Sequence, residues 1–210
     1  MEYEIRFYYP SESYEEKLAL LNAIKELNYE GKSHEITSQF DHPCKEFSFY
    51  SQAVDGRFRV RKTENENSSK CLVSFKRRLK DTTTSKVNKE EEIELNIDPK
   101  EYDNLLLLIK NVLHMKEIET YERYRTKFSN EEVEIVLDEY PFGLALEIEA
   151  AKTLTNQEEV IDKYIKLLGL DYQDAYRLSW DDKYEELCKS QGKKIYTEVL
   201  FGKDMPKIDK

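Results

Sequence analysis

The sequence has few of the features that would give it a metal-thiolate, secreted or membrane character. Its one long apolar run, Leu105 to Ile109, gives way at once to Lys110 and Asn111, whereas a membrane span needs about 20 apolar residues; the run reads as a buried helix. The N-terminus offers Glu2 and Glu4 where a secretory signal would place a basic region and an apolar stretch, so a cytoplasmic protein that does not engage a membrane is expected. The three cysteines, Cys44, Cys71 and Cys188, are odd in number, far apart and free of any C-x-x-C spacing. A disulfide framework or zinc knuckle is therefore not expected. His34, His42 and His114 are just as scattered, so any metal would be held by oxygen. A net charge of -10 argues against a duplex-DNA binder, whose affinity rests on a basic surface that releases counterions.

What the chain does have is charge. Charged residues make up 36% of its 210 residues against 39% hydrophobic, so a globular fold requires that many charges have assigned places. A single domain suits this length. Residues 1 to 9 read as a strand. Ser13 and Glu16 have capping-box spacing for a helix to about Asn28, with Gly31 beyond its end. From Ser33 to Arg78, Phe, Tyr, Val and β-branched residues are punctuated by Asp41-His42-Pro43, Asp55-Gly56 and Thr63 to Ser69, the pattern of consecutive hairpins. Leu79 to Lys89 forms a polar loop of the kind that often covers a site, and a strand follows over Glu90 to Ile97. Asp98-Pro99 opens a second helix to about Leu113. Strands are expected near 116–128, 133–139 and 144–150, then helices from the Thr155/Glu158 capping box to Leu168 and from Trp180 to Lys189, and a frayed tail after Gly202. The fold class is α+β and barrel-like.

Side chains alternate along a strand, and here the alternation sorts charge. Glu2, Glu4 and Arg6 share one face; so do Arg57, Arg59 and Arg61; Glu90, Glu92 and Glu94; Arg123, Arg125 and Lys127. Asp138, Glu147 and Glu149 extend the pattern, while Tyr3, Ile5, Phe7, Phe58, Val60, Ile93, Leu95, Tyr124, Leu146 and Ile148 take the opposite faces. One such strand would simply turn its charges to water. Recurrence over five strands suits a closed barrel with a polar lumen and an apolar exterior covered by helices. Clustered carboxylates suit a hard divalent cation, and arginines suit phosphate oxygens.

At these positions the sequence resembles the CYTH family of triphosphate tunnel metalloenzymes, which includes class IV adenylate cyclases, thiamine triphosphatases and inorganic triphosphatases. The N-terminal E-x-E-x-K signature is similar to Glu2-Tyr-Glu4-Ile-Arg6, with Arg for Lys. The R-x-R strand resembles Arg57-Phe-Arg59-Val-Arg61, and the strand ending in Lys resembles Leu72 to Lys76. The middle E-x-E resembles Glu92-Ile-Glu94, with Glu90 leaving its register open, and the later basic strand resembles Arg123-Tyr-Arg125. Asp138 to Gly143, followed by Glu147-Ile-Glu149, is similar to the family's D-x-x-x-x-G and E-x-E.

The resemblance implies a closed antiparallel eight-stranded β-barrel over residues 1–189, with 190–210 a C-terminal tail. It implies Mg²⁺ or Mn²⁺ on a subset of Glu2, Glu4, Glu92, Glu94, Asp138, Glu147 and Glu149, foremost Glu2, Glu4, Asp138 and Glu149. A triphosphate would be gripped by Arg6, Arg57, Arg59, Arg61, Lys76, Arg123 and Arg125, and Glu2, Glu4 and Arg6 are the candidate catalytic residues. The expected activity is hydrolysis of tripolyphosphate, thiamine triphosphate or a nucleoside triphosphate such as ATP, by a monomer or homodimer. The alternatives are cyclisation of ATP to cyclic AMP, an RNA 5′-triphosphatase, and a non-catalytic polyphosphate or nucleotide-binding module. Trp180 and the fifteen tyrosines read as packing residues, and Arg77 and Arg78 as a basic rim beside Lys76.

Overall fold

A computed structural model describes residues 2–50, 54–79 and 88–209, with the backbone alone for Glu2, Asn88 and Lys89. Eight long strands follow the alternating segments: β1 (Glu2–Tyr9), β2 (Asn28–Asp41), β3 (Gly56–Glu64), β4 (Ser69–Arg78), β5 (Asn88–Ile97), β6 (Lys116–Ser129), β7 (Val133–Tyr140) and β8 (Gly143–Ala150). All pair antiparallel in the order β2-β3-β4-β5-β1-β8-β7-β6, and β6 returns to β2 from Asn28↔Ser129 to Asp41↔Lys116. Most of the expected 80–89 loop lies outside the described residues.

The sequence points to a closed barrel, but among the described residues the sheet is strongly curled and open. Its β1/β5 seam pairs only at Glu2↔Glu90, Tyr3↔Lys89 and Glu4↔Asn88, which leaves it open along the rest of β1. The β4/β5 register fixes the acidic strand: Lys76 faces Glu92, Ser74 faces Glu94 and Arg78 faces Glu90. All three glutamates therefore share the inner face.

Among the described residues three helices cover the outer face and a fourth crosses one end. Ile5, Phe7, Ile135, Leu137, Leu146 and Ile148 pack beneath α1 (Tyr14–Ala23) and α3 (Gln157–Leu167). α3 presents Val160, Ile161, Tyr164 and Ile165 at helical spacing. Phe40, Val60, Cys71 and Ile109 form a second cluster with α2 (Tyr102–Leu107), which follows a 3₁₀ turn at Pro99–Glu101 capped by Asp98 and continues as a π-turn to Val112. The third gathers Tyr121, Tyr140 and Phe142 around Trp180, Tyr184 and Cys188 of α4 (Trp180–Ser190). Among the described residues no helix is long and apolar enough to cross a membrane.

Three local expectations change. α1 ends at Ala23 rather than near Asn28, because Asn28 is already paired with Ser129; strand pairing overrides local helix preference. Gly31, at φ 110°, serves a bulge of β2 and not a helix end. The helix near Thr155 starts later, at Gln157. The side chain that does cap a helix from both ends of the box is Asp182, which accepts from the Ser179 N–H at 3.0 Å and Oγ at 2.8 Å.

The tail is docked, not frayed. Met205 is buried, Ile208 N–H donates to Phe142 O at 2.9 Å, and Lys207 Nζ reaches Pro141 O at 2.6 Å. A Cβ at Gly143 would lie 2.4 Å from Ile208 Cδ1, so glycine there is what lets the tail close over the β7–β8 turn.

Candidate active site

The alternation that puts Ile5, Val60 and Leu146 outside turns their neighbours inward. Glu4, Arg6, Arg57, Arg59, Arg61, Lys76, Arg123, Arg125, Glu147 and Glu149 line one cavity, as the sequence pattern required. Around the ring, β5, β1 and β8 carry carboxylates, while β3, β4 and β6 carry cations. The free space among these side chains is about 70 Å³, room for a few waters. A wider polar mouth of about 890 Å³ opens between the β3–β4 hairpin and the ends of β2, β6 and β7, sharing Arg61 and Arg125 with the cavity. Glu94 and Lys127 stand in that mouth.

The charges hold one another. Arg6 Nε donates to Glu147 Oε1 at 2.5 Å, and its terminal nitrogen lies 3.3 Å from Glu4. Asp138 is fully buried behind the basic strand, where it accepts from Arg125 Nε and a terminal nitrogen at 2.7 and 2.6 Å, and from Arg123 at 2.7 Å. Its oxygens are occupied by two guanidinium groups, so it positions the arginines. Arg123 also donates from Nε to Glu35 Oε2 at 2.8 Å and from a terminal nitrogen to Tyr140 Oη at 3.1 Å. Lys76 and Lys152 both reach Glu92, at 2.8 and 2.5 Å. Arg59 is held differently: its Nε donates to the neutral Gln39 Oε1 at 3.2 Å. At Arg6, Arg123 and Arg125 an anion would have to displace a carboxylate, exchanging one charge-assisted hydrogen bond for another, whereas Arg59 would meet it without that exchange.

Burial raises the pKa of any carboxyl group, and neighbours then decide the outcome. At Glu147 the burial effect is outweighed by Arg6, Arg125 and Arg123, which hold it at about 2. Lys76 and Lys152 do the same for Glu92, also to about 2. Glu4 goes the other way: burial, then Glu90 and Glu147, push it up to about 7 against Arg6 and Lys76. Burial and Glu92 also raise Glu94.

The carboxylate arc is therefore short of positive charge on the β1 side. Its all-oxygen donor set fits a hard divalent cation, and Glu4, whose carboxyl is pushed up to about 7 by burial and the neighbouring acids, is where such charge is missing. Among the described residues no three potential ligands stand close enough to form a ready-made metal site. The Glu2 side chain lies outside the described atoms.

A pH dependence follows. The Glu4 folded pKa of about 7 exceeds the model-peptide 4.5, so between these values the folded chain keeps a proton that the unfolded chain has lost. Its stabilising contribution is complete below pH 4.5 and is lost as pH rises through 7, on the order of 3 kcal/mol. Tm of the wild-type protein should thus fall relative to Glu4→Gln between pH 5 and pH 8. A Tm difference that stays constant across that range would show that Glu4 is already ionised.

Several lining residues escaped the sequence reading. Glu35, Thr37 and Gln39 of β2 face inward with no E-x-E spacing to mark them; their sign was the alternation with Ile36, Ser38 and Phe40. Arg78 lines the cavity instead of the rim, whereas Arg77 points out to Glu91. Tyr121, Tyr140, Ser179 and Trp180 complete the wall. At the α4 end Asp181 accepts from Tyr50 Oη and lies 3.3 Å from Arg57.

The eight-stranded curled sheet with helices outside has counterparts among solved structures. The PH1819 protein from Pyrococcus horikoshii OT3 superposes with a TM-score of 0.66 at 23% identity, over 89% of this chain and 99% of that one. A candidate adenylate cyclase from Vibrio parahaemolyticus gives 0.63 at 16% identity, over 86% and 96%. A candidate adenylyl cyclase from Hippeastrum, with a dominant triphosphatase activity of its own, gives 0.58 at 20% identity, over 93% and 98%. The fold is shared with these three proteins. No family model and no curated protein matches the chain by sequence. In this tunnel the inner face of β1, β3, β4, β6 and β8 carries the charged rows by which the sequence resembles the CYTH family.

Proposed function

We propose that this chain is a divalent-metal-dependent enzyme that hydrolyses small triphosphate-containing molecules. The observation that carries the proposal is the division of one tunnel into a basic arc (Arg57, Arg59, Arg61, Lys76, Arg123, Arg125) and a carboxylate arc (Glu4, Glu147, Glu149). The likeness of the fold to the Hippeastrum protein supports it. Arginines on β3 and β6, with Lys76 of β4, would bind phosphoryl oxygens and fix the chain of phosphates along the tunnel. Asp138 and Glu35 hold Arg123 and Arg125 in that orientation, so no reorganisation is needed as charge develops. Glu4 with Glu149 and Glu2 would hold Mg²⁺ or Mn²⁺, and the cation would neutralise charge on the transferring phosphoryl group and bring water to it. Hydrolysis then forms a bond from water oxygen to phosphorus, breaks the bridging P–O bond, and leaves the water proton to a carboxylate or solvent.

The wide mouth beside Arg61 and Arg125 favours a second reading, because it has room for a nucleoside attached to the phosphates. In that case the ribose 3′-hydroxyl of ATP attacks the α-phosphorus and pyrophosphate leaves. Incubation with tripolyphosphate, thiamine triphosphate and ATP, each with Mg²⁺ or Mn²⁺, separates the two. Orthophosphate release is the result expected. Cyclic AMP with stoichiometric pyrophosphate would replace hydrolysis by cyclisation, and binding without turnover under either metal would leave a binding module.

A further inference from the structure

The α4 end of the cavity holds donors with nothing to donate to. Trp180 is 4% exposed and lines the cavity. Its ring lies parallel to that of Tyr140, centroids 6.0 Å and planes 11° apart, and packs against Tyr121 at 4.2 Å. The indole is thus fixed by packing, as the sequence suggested, but packing does not account for its nitrogen. Trp180 Nε1 is buried and meets no acceptor among the described residues; the same is true of Arg57 Nε and Arg78 Nε, which line the same cavity. Asp55 takes only terminal nitrogens of these arginines, at 3.1 and 3.2 Å. Glu90 stands 3.7 Å from Arg78 Nε, beyond hydrogen-bond reach.

Buried donors are rarely left unanswered, and an indole or guanidinium nitrogen has no acceptor role to fall back on. Three of them around one small space call for a ligand that brings several acceptor oxygens. Ser179 Oγ accepts from a terminal nitrogen of Arg57 at 3.5 Å and answers neither Arg57 Nε nor Trp180 Nε1.

We propose that Trp180 is a substrate-binding residue whose indole N–H donates to a phosphoryl oxygen of bound triphosphate, with Arg57 Nε and Arg78 Nε completing an anion pocket at the α4 end of the tunnel. The inference rests on the triphosphate reading above and assigns that reading an end point. A neutral donor recognises the oxyanion without adding to the positive charge that Arg57, Arg59 and Arg78 already concentrate there.

Trp180 is the sole tryptophan of the chain, which makes the test direct. Inorganic triphosphate is titrated into the wild-type protein, with and without Mg²⁺, while heat and intrinsic fluorescence are both followed. The tryptophan emission should change with the same midpoint as the heat. Trp180→Phe, which keeps the ring stack and loses the donor, should retain the wild-type circular dichroism melt and bind inorganic triphosphate roughly tenfold or more weakly, as expected for a hydrogen bond to a charged group. Heat without any change in emission, or a Trp180→Phe protein with wild-type affinity, overturns the role of Trp180 and leaves the tunnel reading standing. No binding by the wild-type protein under either condition overturns both.

Discussion

Arg59→Ala should lower kcat/KM for inorganic triphosphate by roughly 10²–10³-fold, the usual cost of removing a preorganised charge-stabilising donor, with Tm unchanged or raised. The two halves of this prediction have one origin. Among the described residues Arg59 makes no ion pair; it is steadied by Gln39, which in turn donates to Glu119 at 2.7 Å. Its charge is the least compensated of the basic arc, so removal relieves repulsion with Arg57 and Arg61 in the free protein and deletes a full positive charge from the complex. Arg59→Lys keeps the charge without the planar fork and should fall between. Wild-type kcat/KM in Arg59→Ala would place the phosphates elsewhere in the tunnel.

Asp138→Ala should be the most damaging single change to stability, on the order of 3–5 kcal/mol, because it leaves buried guanidinium groups without their counter-charge. For a domain of this size that is on the order of 10 °C in Tm. Arg123 is as buried as Asp138 is, and both it and Arg125 aim two or more donors at Asp138 or Glu35. The variant also leaves surplus positive charge in the tunnel, so inorganic triphosphate should raise its Tm by more than it raises that of the wild-type protein. If Asp138→Ala melts within a degree or two of wild type, the carboxylate does not hold the arginines in the way described.

The alternation of Glu4, Arg6, Arg57, Arg59, Arg61, Arg123, Arg125, Glu147 and Glu149 with apolar neighbours was enough to place them on one inner surface, because a period of two leaves no other choice once the apolar face is covered. The same rule could not say which charges pair. Asp138 lies in the motif that resembles a metal-binding one, yet two arginines on the adjacent strand take its oxygens, a matter of cross-strand register. Trp180 was hidden for a different reason. It opens a helix that crosses the end of the barrel, and helical periodicity along α4 marks a buried side without telling which atoms of that side meet the cavity.

The return of β6 to β2 has a consequence for how the molecule assembles. Asn28 and Ser129 are about a hundred residues apart in sequence, and the Glu35–Arg123 ion pair forms across that joint. Long-range pairing of this kind places the chain among slow folders, with ring closure the costly step. A slip of one residue in the closing register, with β2 held in place by β3, would turn Arg123 to the outer face and Tyr124 to the inner one and leave Glu35 without its partner. The native register sets Arg123 against Glu35, so charge pairing inside the sheet also selects how its two edges join.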